Sequence, residues 1–184
     1  MAKRLAVCCL LVAGGDPRLH TFAGLVAALK SMLVEEDRPL NLVLEAPLSV
    51  AFSKQGNPVG RAIEKRGGQT RYWYVGLGCS VLTSAMYLLR ALAEPPSARE
   101  LRLFEGFVSF KPKNMASDHR ADVQRLQDVV WRVPGTGYVA SPESLSITGE
   151  HVLKSAFAVC GLDYGVAPVV VAEGGDRGLT SQNA

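Results

Sequence analysis

Apolar runs of strand length alternate along this chain with stretches of helical periodicity, and that alternation constrains its fold more than any single residue does. Residues 4–13 are almost continuously apolar and stop at Gly14-Gly15, the pattern of a strand covered on both faces. Thr21 then caps a helical stripe of Leu25, Leu29, Met32 and Leu33 that ends near Glu36, as a side-chain oxygen ahead of an apolar period should. Residues 40–46, Leu-Asn-Leu-Val-Leu-Glu-Ala, make a second strand halted by Pro47. Gly56, Pro58, Gly60 and Gly67-Gly68 make residues 47–69 a long loop or irregular hairpin, and loops of that length in compact domains are often functional.

Downstream, the spacing predicts a helix over 70–92 whose start is weakened by Gly76 and Gly78. Pro95-Pro96 breaks the chain before a long strand over 100–110. A helix then runs from Ser117 to Trp131, a loop covers 134–146, a last helix covers 149–160, and Val169-Val170-Val171 closes the fold as a strand. Strands alternating with helices imply an α/β domain with a mostly parallel sheet. A chain of 184 residues fits one domain, here 1–173, with a polar tail over 174–184.

Composition narrows the class but not the function. With 48% apolar and 20% charged residues, disordered, collagen-like and disulfide-scaffold proteins drop out. A net charge of +3 neither requires nor forbids a nucleic-acid partner. No stretch approaches the ~18 to 20 apolar residues of a spanning helix, so no membrane partner is expected. Lys3-Arg4 followed by Leu5 to Ala13 has the charge and apolar run of a short signal peptide, whereas Gly14-Gly15-Asp16-Pro17 reads as the turn after a buried strand; the strand is our expectation. Cys8, Cys9, Cys79 and Cys160 form no C-x-x-C pair and read as reduced, buried thiols of a cytoplasmic protein. With only His20, His119 and His151 available, a zinc site would need ligands scattered along the chain.

Acids in apolar positions carry the functional signal. Glu45 ends an apolar strand, at the strand edge where open α/β sheets bind ligands; its structural alternative is a carboxylate held by backbone N–H groups or Arg61. Glu105 shares one strand face with Leu101, Leu103 and Phe107, so it must be paired, protonated or metal-bound, a basic residue such as Arg90 being the structural alternative. On the next helix Asp122 projects between Leu126 and Val129, and His119 projects close to Leu126. Asp118 and Glu150 open helices in this reading, where the dipole accounts for them. Arg61, Lys65, Arg66 and Arg71 lie near Tyr72, Trp73 and Tyr74, with Lys111 and Lys113 in a second group; they can contact nucleic acid or remain solvated. Cys79 has no histidine base nearby in sequence.

Glu45-Ala46-Pro47-Leu48-Ser49, Gly60-Arg61 with Glu64, Leu103-Phe104-Glu105-Gly106-Phe107, Asp118-His119 with Asp122, and Glu150 to Ser155 together resemble an uncharacterised family of predicted nucleases with a ribonuclease H-like fold. The likeness covers roughly residues 40–173. It implies a mixed sheet flanked by helices; the chain departs from that family's three-strand opening hairpin, which is shortened here to one strand, residues 4–13, that carries no acid. It further implies a divalent-metal-dependent nuclease or phosphodiesterase using Mg2+ or Mn2+ on Glu45, Glu105, and Asp122 or Glu150, with His119, Arg61, Lys111 and Arg71 steering phosphate or protons. A catalytically inactive relative that binds an anion, nucleotide or protein partner is the alternative. A shortened sheet exposes an edge, so a homodimer covering residues 4–13 is expected.

Overall fold

Three of the apolar runs become adjoining parallel strands of one sheet. In the computed structural model, which describes residues 7–35, 38–66, 69–70, 77–94, 99–108, 118–158, 161–162 and 164–173, β3 (Leu40–Leu44), β8 (Leu101–Val108) and β11 (Val169–Ala172) run parallel, and β9 (Gly137–Ala140) joins β11 antiparallel. The order is β3-β8-β11-β9. All four residues of β11 are buried, because helices and loops cover both faces of the sheet.

The period of two sorts the strand residues between the faces. Val43, Phe104, Val108, Val170 and Ala172 pack with Leu126 and Val129 of α3 (His119–Val130). On the opposite face Leu42 and Leu103 join α1 (Phe22–Glu35) and α2 (Leu77–Leu92). Further along that face, Phe107, Val169 and Val171 pack with Ile63, Ala140 and Leu145. A smaller antiparallel sheet, β10-β4-β5, is built from β4 (Ser49–Phe52), β5 (Pro58–Val59) and β10 (Val152–Ser155). β6 (Lys65–Arg66) pairs with β7 (Gln69–Thr70). Short 3-10 turns occupy Ala62–Glu64 and Pro142–Leu145.

Two glycines permit close approaches. A Cβ on Gly106 would stand 2.8 Å from Leu126 Cδ1 and 3.4 Å from the Glu45 Cα, so the gap between β3, β8 and α3 admits only hydrogen there. Gly137 has φ +151, and a Cβ on it would lie 1.9 Å from the Val171 carbonyl oxygen.

The α/β class and the mixed sheet agree with the sequence expectation, and several elements correct it. The N-terminal segment is a hairpin of two strands, β1 (Val7–Leu10) and β2 (Arg18–Thr21), turned by Gly14 at φ +81. The expected last helix is β10: its residues pair with β4, and that tertiary ladder overrides local helical character. Residues 134–146 contain β9 rather than loop alone. The long loop or irregular hairpin expected over 47–69 does contain a hairpin, β4 to β5, with Gly56 at φ +79. Thr21 does cap α1, its Oγ1 accepting from the Gly24 N–H at 3.1 Å. Cys8 and Cys9 are half-buried and Cys79 is exposed rather than buried. Arg71, the aromatic run 72–74, Lys111, Lys113, Ser117, Cys160 and the tail 174–184 lie outside the described residues. Among those described, no helix is long and apolar enough to cross a membrane.

Candidate metal centre

Glu45 follows the last residue of β3, and its strand register settles where it stands. Leu44 is paired with Glu105, so Glu45 comes beside Gly106, on the sheet face that receives α3. The first turns of α3 bring two more polar groups to the same place. Asp118 caps this helix, its carboxylate accepting from the Arg120 and Ala121 N–H groups at 3.0 and 3.3 Å. That cap fixes the start of the helix, and His119 and Asp122 follow one turn apart on it.

One ligand atom each from Glu45, His119 and Asp122 lies within 4.8 Å of the other two. Asp122 is buried, Glu45 half-buried and His119 exposed, so the cluster has a buried floor and an open rim. Arg125 Nη1 stands 3.7 Å from Asp122 Oδ1 and compensates part of the local negative charge. Two carboxylates and an imidazole can hold a divalent cation, and oxygen-rich sets of this kind suit hard ions.

The other expected acids are elsewhere. Glu105 is fully buried on the opposite face of the sheet, where Arg61 meets it with Nη1 at 2.7 Å from Oε2 and Nη2 at 2.6 Å from Oε1. Arg61 also donates from Nε and Nη2 to Glu64 Oε1, at 3.1 and 2.9 Å, and from Nη1 to Ser49 Oγ at 2.9 Å. All five guanidinium N–H groups are thereby engaged. The Glu105 carboxylate additionally accepts from the Leu48 N–H at 2.8 Å, which ties the small sheet to the large one. Burial opposes the charge on Arg61, but the Glu105 and Glu64 carboxylates outweigh it and hold the pKa above its ordinary value.

Arg61, expected to steer phosphate, is therefore a buried cross-link with 1% of its surface exposed, and it serves Glu105 rather than Glu45. Glu150 opens no helix: it sits exposed in a turn and pairs with Lys54 at 2.5 Å. Arg90 and Arg102, other arginines near Glu105 in sequence, pair on the surface with Glu94 and Glu100. Ser49 and Arg125 were not singled out by sequence; Arg125 carried a readable signal, its i,i+3 spacing from Asp122. Burial pushes the Cys8 and Cys9 thiols above their ordinary values, which keeps them protonated and poor nucleophiles.

No protein-family model, curated protein or solved structure matches the chain. The nuclease resemblance accordingly stands on the residues themselves.

Proposed function

We propose that Glu45, His119 and Asp122 bind one divalent cation, Mn2+ or Mg2+, and that the chain hydrolyses phosphodiesters as a nuclease or phosphodiesterase of ribonuclease H-like fold. The observation that carries the reading is the convergence of three ligand atoms within 4.8 Å at the carboxyl end of a sheet strand. With Glu105 engaged by Arg61 and Glu150 by Lys54, one ion fits these residues better than two. When bound, such an ion supplies an acidified water and neutralises charge on a phosphoryl oxygen. The protein's own part is positional. Asp122 is fixed by the packed helix, Glu45 by the strand end, and His119 occupies the rim where a substrate would arrive. Arg120 and Arg125 add positive charge along the same helix, favourable to a polyanion.

One observation favours a second reading, a catalytically inactive relative that binds an anion, nucleotide or protein partner: the most deeply buried strand acid, Glu105, is held by arginine. Calorimetric titration with MnCl2 separates the two. Saturable 1:1 binding that Glu45→Gln abolishes, with Mn2+-dependent cleavage of fluorescent DNA or RNA oligonucleotides, is the expected result. Binding without cleavage supports the inactive relative, and no heat at millimolar Mn2+ removes the metal centre.

A further inference from the structure

The outer edge of β3 opens onto a cavity of about 560 Å³. Four consecutive residues, Leu40 to Val43, form one bank and residues 9–13 the other; Leu29 and Met32 of α1 and Val123 and Val130 of α3 close the sides. Consecutive lining residues, with walls from helices on opposite faces of the sheet, mean that the cavity wraps the strand edge rather than one face. β1 packs against both α1 and α3, so it lies in the same layer as the sheet, with the cavity between it and β3.

Among the described residues, the main chain bordering this gap is incomplete as a ladder. The Leu40 N–H donates to the Glu100 carbonyl at 2.8 Å, so in a parallel register the even-numbered residues of β3 bond to β8 and Asn41 and Val43 turn their N–H and C=O groups outward. Among the described residues β3 has β8 as its sole strand partner, and β1 has β2. Polar backbone beside an apolar cavity calls for matching donors and acceptors. An apolar small molecule would leave those groups unpaired, whereas an extended peptide satisfies them at the strand's own period. Four lining residues correspond to about 13 Å of strand at ~3.3 Å per residue.

We propose that this slot receives an extended peptide segment from a protein partner, added as a strand to β3. Its main chain pairs with Asn41 and Val43, and its alternating apolar side chains face α1 and α3 in turn. At the far end the cavity is lined by Arg38, Arg99 and Glu35. The Arg99 guanidinium donates to the Met32 and Arg38 carbonyls, which fixes it there. Among the described residues that end carries two arginines and one glutamate, so the test peptide carries its acidic residues at one end. Every described strand of this chain is already held in a ladder, so a second copy has no free described strand to insert.

The test is fluorescence anisotropy with a fluorescein-labelled peptide, Glu-Glu-Val-Ile-Val-Ile-Val, against the full chain. Saturable binding at micromolar protein is expected. A version N-methylated at alternate residues, and the native peptide against Val130→Glu, should each bind at least about tenfold more weakly. Asn41→Pro, which removes one outward N–H from an edge strand, should do the same, with thermal unfolding of both variants unchanged. If Asn41→Pro unfolds, Val130→Glu and the methylated peptide decide the matter. Absence of binding at millimolar peptide overturns the proposal. Equal binding of the methylated peptide overturns it in favour of an apolar-ligand cavity. A dimer by light scattering that the peptide does not dissociate overturns it in favour of a second copy.

Discussion

Glu45 and Glu105 stand one register step apart on adjoining parallel strands, and the sheet separates them. Glu105 points to the face where Arg61 grips both of its oxygens, while Glu45 meets His119 and Asp122 of α3 on the other. Their substitutions should therefore differ in kind. Removing one partner of a buried ion pair leaves the other charge uncompensated, which costs about 3–5 kcal/mol. Glu105→Ala should lose stability of that order in urea unfolding, with Arg61→Lys also destabilised because an ammonium cannot reproduce the guanidinium fork. Glu45→Gln should cost at most about 1 kcal/mol and abolish Mn2+ binding by calorimetry. Equal stability losses in Glu105→Ala and Glu45→Gln would contradict this division.

Arg61 faces two carboxylates, and the burial of Glu64 gives the cluster a pH dependence. Burial raises the Glu64 pKa above its ordinary 4.5, against the lowering effect of Arg61, and Glu105 adds to the rise. Between pH 4.5 and that raised value, the folded state therefore binds more proton at Glu64 than the unfolded chain does. The stability contributed by Glu64 is full below pH 4.5 and declines as pH rises through the folded-state value. In urea unfolding compared between pH 4 and pH 7, Glu64→Gln should lack this decline, so its stability relative to the native chain should improve as pH rises. A difference that stays flat with pH would exclude the cluster as its source.

How far the sequence alone reached is clearest from these same acids. The face of Glu105 was legible, because a period of two places it with Leu103 and Phe107 and an acid there must be satisfied. Its partner was not, since Arg61 lies 44 residues away and reaches it only once β4 and the turn at 62–64 have folded over the sheet. Glu45, Asp122 and His119 are legible in the sequence as misplaced polar residues, one just past a strand and two on a helix. Nothing local to Val-Leu-Lys-Ser announces a strand partner, so residues 152–155 look helical in sequence; the ladder to β4 decides their conformation. The second N-terminal strand, Arg18–Thr21, is polar and short and shows no apolar period. Its pairing with β1 comes from the glycine turn between them rather than from its own pattern.

Gly106 links fold and site. A Cβ there would meet Leu126 Cδ1 at 2.8 Å, Val43 Cγ1 at 3.2 Å and the Glu45 Cα at 3.4 Å, so alanine must push α3 away from β3. Overpacking of this kind costs about 1–3 kcal/mol. The displacement also separates the helix that carries His119 and Asp122 from the strand that carries Glu45. Gly106→Ala should weaken Mn2+ binding in calorimetry beyond what its unfolded fraction explains, and native Mn2+ affinity in the folded variant would count against the coupling.

Asp118 provides a gentler test of the same geometry, since it contributes no atom to the cluster. Its carboxylate satisfies two N–H groups at the start of α3, and replacing such a cap with alanine typically costs about 1 kcal/mol. The lost order falls on the first turn, where His119 sits, more than on Asp122, which is buried and packed one turn further in. Asp118→Ala should therefore lower Mn2+ affinity several-fold, while Asp118→Asn or Asp118→Ser, which keep a capping oxygen, should restore most of it. That rescue distinguishes a positioning cap from a ligand: a carboxylate bound directly to the ion would not be replaced by a serine hydroxyl. Failure of both conservative variants would make Asp118 a fourth ligand and enlarge the centre.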